Sequence, residues 1–220
     1  GKGGIGKSTT VSNLAAVYAE SGMTVMQIGC DPKADSTMNL HGLEKKPTVL
    51  ELIREKVKAV TLEEMVMPGY GGVLCVEAGG PVPGMGCAGR GIIAALETLE
   101  EKDAFQIYQP DIVLYDVLGD VVCGGFAMPI REGYAEKVFV VTSGENMAIY
   151  AAANIAMAVD NFAERGYATL GGVILNRRNV EREREKVEQL AADIHSRITG
   201  TLGFSPVVQK ADELRKTVIE

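Results

Sequence analysis

The chain opens on Gly1-Lys2-Gly3-Gly4-Ile5-Gly6-Lys7-Ser8, a full match to G-x-x-x-x-G-K-[ST]. Directly behind it, residues 8–20 carry Leu14, Val17 and Tyr18 at helical spacing, and Gly22 stands where a C-terminal cap ends a helix. A glycine-rich turn that runs straight into a helix is a phosphate cradle, because glycines let backbone N–H groups curl around oxygens and the positive helix end faces the same anion. Lys7 is placed to reach the terminal phosphates and the Ser8 hydroxyl to join a magnesium shell. Gly1, Lys2, Gly3, Gly4, Ile5, Gly6, Lys7, Ser8 and Thr9 are therefore read as nucleotide-binding.

A loop of this kind belongs between a strand and a helix of a parallel sheet, and the remaining sequence fits that layout. Residues 23–28 form a short apolar, β-rich run leading into Gly29-Cys30-Asp31-Pro32. Residues 47–56 predict a helix with Pro47 near its first turn, 73–76 a strand, and 79–91 a long glycine-rich loop opening onto a helix over 92–101. Strands follow over 111–115, ending at Asp116, and over 138–142, ending at Ser143; then come a helix over 146–165, a strand over 172–175 and a helix over 180–197. Parallel strands need crossover connections, and helices supply them, so the expected fold is α/β: a phosphate-loop NTPase with a mostly parallel sheet and helices on both faces. Functional loops then sit at the carboxyl ends of the strands. Without a linker or repeat, residues 1–220 read as a single phosphate-loop domain. Because residue 1 is already the first loop glycine, the chain is expected to be truncated at its N-terminus, with its first strand missing, and to stop short at its C-terminus.

The 29 acidic against 22 basic residues, a net charge of -7, argue against binding a phosphate backbone, since no local basic stripe offsets the repulsion. The densest charge run, residues 181–188, alternates signs and reads as a solvated helix face. No apolar stretch approaches the roughly 18 residues a membrane span needs, and no secretory signal is visible, so a cytoplasmic location without membrane or nucleic-acid partners is expected.

Asp116, ending the apolar run Ile112-Val113-Leu114-Tyr115, is expected to hold magnesium through water. Asp31, Asp35 and Asp120 are candidates to orient or deprotonate the attacking water, and the sequence does not rank them. Four cysteines show no C-x-x-C pairing. Cys75, within an apolar strand, and Cys30 read as buried and inert, whereas Cys87 and Cys123 are flanked by glycines. Small neighbours let backbone amides approach cluster sulfides and stabilise the reduced state. A four-iron cluster takes four thiolates, and each chain offers two in such surroundings, so a symmetric dimer would supply the set. Seven residues separate Asp116 from Cys123 and span at most about 25 Å, which makes nucleotide and cluster mechanical neighbours.

GKGGIGKSTT, IGCDPKADST, GGPVPGMGCAGRGI, YDVLGDVVCGGFAMPIRE and the terminal TVIE resemble the nitrogenase iron protein family, and the likeness covers nearly the whole chain. The resemblance implies an ATP-driven homodimer with one [4Fe-4S] cluster between its subunits, ATP and Mg2+ as further cofactors, and single-electron delivery to a catalytic nitrogenase component. It also implies ferredoxin or flavodoxin as upstream donor. By position, Cys87 and Cys123 are its cluster ligands, Lys2 reaches the nucleotide of the partner subunit, and Asp31, Lys33 and Asp120 are switch and hydrolysis residues. Asn176 matches its base-contacting asparagine, and Arg90 an arginine that some members have ADP-ribosylated. Two departures stand out: Met38 where the family usually has arginine, and a segment over 204–209 shorter than its nucleotide-side loop. Reductase components of tetrapyrrole synthesis share the phosphate loop and both cysteines. Partitioning or positioning ATPases share Lys2 and Lys7 but have no use for the cysteines.

Overall fold

A computed structural model describes residues 2–42, 45–56, 60–80, 88–119, 128–131, 133–163 and 167–220. In chain order the elements are α1 (Lys7–Glu20), β1 (Val25–Gly29), α2 (Met38–His41), α3 (Val49–Lys56), α4 (Leu62–Met65), β2 (Met67–Pro68), β3 (Leu74–Glu77), α5 (Ala88–Glu101), α6 (Ala104–Tyr108) and β4 (Ile112–Asp116). They continue with α7 (Met128–Arg131), β5 (Lys137–Thr142), α8 (Asn146–Ala163), β6 (Thr169–Asn176), α9 (Glu183–Asp193), β7 (Ile198–Leu202) and α10 (Pro206–Glu213). Every strand and helix expected from the sequence is present. The chain divides into two compact units: a larger one of Ser8–Val117 with Pro206–Glu220, and a smaller one of Gly1–Lys7 with Leu118–Ser205.

In the larger unit the strand order is β2-β3-β1-β4, with β1 parallel to β3 and β4 and the two-residue β2 antiparallel at the edge. All five residues of β1 are buried, as a central strand covered on both sides requires. Its middle residue is nevertheless polar: Gln27 is fully buried, and its amide donates to Ser12 Oγ at 3.2 Å, the Ser36 carbonyl at 3.0 Å and Ser36 Oγ at 3.1 Å. A buried amide must find partners. That need selects the inward face of α1, which is Thr10, Ser12, Ala15 and Ala16, while Val17 stays 44% exposed. The helix forms where expected, but Leu14, Val17 and Tyr18 are not its buried stripe.

The smaller unit holds a three-stranded, all-parallel sheet in the order β5-β6-β7. Ala148, Ala152, Ile155, Ala156 and Val159 form the buried stripe of α8 at helical spacing. Val187 and Ala191 of α9 pack on Val173 and Leu175 of β6. Strand β7 and the short helices were not expected. Ile198-Thr199-Gly200-Thr201-Leu202 has no apolar run and becomes a strand by pairing with β6. No described helix is long and apolar enough to cross a membrane.

Candidate functional site

In the larger unit, three strand ends come level. Gly29 of β1 is in register with Glu77 of β3 on one side and Asp116 of β4 on the other, so two carboxylates flank one glycine. A Cβ at position 29 would run into Glu77 Oε2 and Ser36 Cβ, which is why the position takes glycine. Asp116 is buried at the end of β4 as expected, and its Oδ2 accepts the Ser36 hydroxyl at 2.6 Å. Ser36 in turn takes the Ser12 hydroxyl on its carbonyl at 3.0 Å, which links the loop after β1 to the first turns of α1.

That loop, residues 31–37, is set by its first residue. Asp31 Oδ1 accepts the Lys33 backbone N–H at 2.9 Å and the Asp31 carbonyl accepts that of Ala34 at 3.0 Å, a side-chain-closed turn. Lys33 and Asp35 are left exposed, and Ser36 and Thr37 are buried. Ser8 and Thr9 of α1 line an open cleft of about 200 Å³ with Asp35, Ser36, Met38, Asn39 and Asp212. The Asn39 amide donates to Asp212 Oδ1 of α10 at 3.1 Å.

Glu77, which the sequence reading passed over, is 2% exposed. Its Oε1 accepts both the backbone N–H and the hydroxyl of Thr37, each at 2.7 Å, while its buried Oε2 has no partner. Burial pushes its carboxyl up to about 7, with Asp116 and Asp35 adding to the rise and the two Thr37 hydrogen bonds opposing it. The signal that marked Asp116, a carboxylate ending an apolar strand, also marks Glu77.

In the smaller unit the phosphate loop turns through left-handed backbone at Gly4 (φ 70) and Gly6 (φ 90), which glycine alone adopts freely. Ile5 between them is buried against Val141, Ala148 and Ile174, anchoring the loop by its only large apolar side chain. The last residue of β6 and one just beyond it hold the loop carbonyls. Asn176 Nδ2 donates to the Ile5 carbonyl at 2.8 Å, and Arg178 Nη2 to the Gly4 carbonyl at 2.7 Å. A Cβ at Gly6 would strike the Asn176 amide. The Lys7 ammonium reaches the Lys2 carbonyl at 3.4 Å. Behind Arg178, the buried Glu183 accepts the Arg178 N–H at 2.8 Å and the Gly144 N–H at 3.2 Å on one oxygen, with Arg177 Nε 3.5 Å from the other. The charge run over 181–188 is therefore not a uniformly solvated face. Arg178 carries no sequence signal beyond its place just after Asn176, and Glu183 none.

Cys30 and Cys75 are fully buried and unpaired with each other. Burial, then the Asp116 and Glu77 carboxylates, hold the Cys30 thiol far above its ordinary value, and burial with Glu77 pushes Cys75 up to about 12. Thiolate is the metal-ligating form, so both are poor ligands and the core reading of each is correct. Arg90 lies in the first turn of α5. Gly1, Cys87, Asp120 and Cys123 lie outside the described residues.

The fold is that of the phosphate-loop ATPases. It superimposes on the septum site-determining protein MinD of Pyrococcus horikoshii, solved with Mg-ADP, with a TM-score of 0.73 at 18% identity, over 100% of this chain and 84% of that one. A ParA family ATPase of Chlorobium tepidum matches with a TM-score of 0.69 at 18% identity, over 99% of this chain and 87% of that one. The chain belongs to the 4Fe-4S iron sulfur cluster binding proteins of the NifH/frxC family, whose model matches residues 1–220. It is 53% identical over 223 residues to the nitrogenase iron protein of Methanospirillum hungatei, covering 100% of this chain and 79% of that protein.

Proposed function

We propose that the chain is an ATP-dependent electron donor of the nitrogenase type, passing single electrons to a catalytic nitrogenase component for nitrogen fixation. The observation that carries this reading is the condition of two of the four cysteines. Cys30 and Cys75 are buried and held protonated, which leaves Cys87 and Cys123 as the thiolates a cluster would use. Two chains then supply four sulfurs, in keeping with the family's name. When bound, the [4Fe-4S] cluster supplies the one-electron carrier and Mg2+ offsets the charge of the ATP phosphates.

The chain's own residues divide the remaining work. Ser8 and Asp116 would hold the magnesium, Asp116 oriented by the Ser36 hydroxyl. Lys7 and the loop amides would bind the phosphates, with the loop pinned by Asn176 and Arg178. Lys2, Asp31, Lys33 and Asp120 are assigned to switching and hydrolysis, Asn176 also to the base, and Arg90 to a modifiable position near the docking face. A ferredoxin or flavodoxin is the matching upstream donor.

The test is chemical. Full-length protein made without oxygen and supplied with iron and sulfide should be a brown dimer with about four irons. It should reduce the catalytic component only with ATP. Cys87→Ala and Cys123→Ala should each lose the iron, and Cys75→Ala should keep it. A colourless monomer ends the reading.

A further inference from the structure

The segment that leaves β3, residues 77–80, lies along the loop over 31–37 and touches it at both ends. At one end Glu77 Oε1 takes both donors of Thr37. At the other, Gly80 lies so close to Pro32 that a Cβ there would collide with the Pro32 ring and backbone. The outer side of the same segment is tied to α3: the Leu50 N–H donates to the Ala78 carbonyl at 3.2 Å and Arg54 Nη2 to the Gly80 carbonyl at 2.8 Å. Cys87 follows Gly80 by seven residues, and Asp31, Lys33 and Asp35 belong to the loop. The stem of the Cys87 segment and the nucleotide-side loop thus share one seam.

We propose that Glu77 is a positioning residue that clamps the loop over 31–37 to the stem of the Cys87 segment, so that a nucleotide-driven shift of the loop carries the stem with it. This rests on the function proposed above and adds a second path between ATP and cluster beside the covalent one through residues 116–123.

The physical case lies in what separation would leave behind. Among the described residues no cation pairs with Glu77, its second oxygen has no hydrogen-bond partner, and the charges that act on it are those of Asp116 and Asp35. If Thr37 moved away alone, Glu77 would lose both donors inside the protein, and a buried acceptor left unsatisfied costs more than a small movement of the strand end. The strand end therefore follows the loop.

The experiment uses full-length protein reconstituted with iron and sulfide, and reads how much MgATP changes the rate of iron loss to a chelator, alongside iron content and ATP affinity. Glu77→Met, similar in size but unable to accept, should bind ATP and four irons per dimer yet show a nucleotide response about tenfold smaller. Glu77→Gln keeps an acceptor for Thr37 and should restore the response. Thr37→Val removes one of the two bonds and should give an intermediate response, which serves as the test if Glu77→Met fails to fold. An undiminished response in Glu77→Met, or in Thr37→Val where only that variant folds, with iron in place, overturns the clamp and leaves the proposed function standing. A wild-type protein without iron overturns the function and the clamp together.

Discussion

Each of the two units braces its strand-end loops with one buried glutamate, and the two glutamates are built differently. Glu183 in the smaller unit takes two backbone N–H groups, from Gly144 and Arg178, and has Arg177 near its other oxygen. Glu77 in the larger unit takes the N–H and hydroxyl of one residue, Thr37, and feels the charges of Asp116 and Asp35, with no cation paired to it among the described residues. A buried carboxylate with a counter-ion is a fixed strut, because its charge is compensated in one arrangement only. A buried carboxylate among other carboxylates has a charge state and a position that depend on its hydrogen-bond donors. The first suits a phosphate loop that must keep its shape. The second suits the loop over 31–37, to which the proposed function assigns switching.

The comparison breaks most sharply at Glu183. Replacing it with Ala should leave the buried Gly144 N–H and the partly buried Arg178 N–H without an acceptor and should cost about 3–5 kcal/mol in denaturant unfolding of the nucleotide-free protein. A loss below about 1 kcal/mol would mean that water takes over both donors and that the strut is dispensable.

Next in size is the pH dependence carried by Glu77. Its folded value of about 7 lies above the ordinary 4.5, so the folded protein keeps a proton that the unfolded chain releases in between. The contribution is complete below the lower value and is lost as pH rises through the upper one, a fall of up to about 3 kcal/mol. Glu77→Gln carries no titrating group and should gain relative to wild type between pH 5 and pH 8, measured without magnesium or nucleotide. Parallel stability curves for the two proteins would show that Glu77 stays ionised and that the contrast with Glu183 is wrong.

The smallest effect separates two members of one charge run. Glu185, two residues from Glu183, pairs with Arg182 on the surface, both more than half exposed. Glu185→Ala should change stability by less than about 0.5 kcal/mol in the same assay. An effect comparable to that of Glu183→Ala would mean that burial is not what distinguishes them.

Most of the architecture was legible because it is written in short-range patterns. Apolar runs of four to six residues ending in Asp116 and Ser143, and the helical spacing after each, needed no knowledge of what they pack against. The phosphate loop was legible for the same reason, since its glycines and Lys7 act through backbone shape. Failures occurred where one distant residue dictated another's surroundings. The inward face of α1 went to Thr10, Ser12, Ala15 and Ala16 because Gln27, in a strand more than ten residues away, needs polar partners in the core. Strand β7 exists because β6 offers an edge, and its Thr and Gly content hides it. The fold also does not choose among functions: the MinD and ParA structures share it at 18% identity. Cys87 and Cys123, flanked by glycines, made that choice in the sequence reading.

The sequence alone determined the class of fold, the glycine-rich phosphate loop, the end-of-strand aspartate and the burial of Cys30 and Cys75, because each depends on residue type and local spacing. Only the tertiary structure decided which of many similar glutamates would be buried and what each would hold. Glu183 and Glu185 differ by no local sign, and the strand-end place of Glu77 does not say what it holds. Their roles come from which backbone donors and which charges the folded strands bring beside them, and that is a property of contacts between residues far apart in the chain.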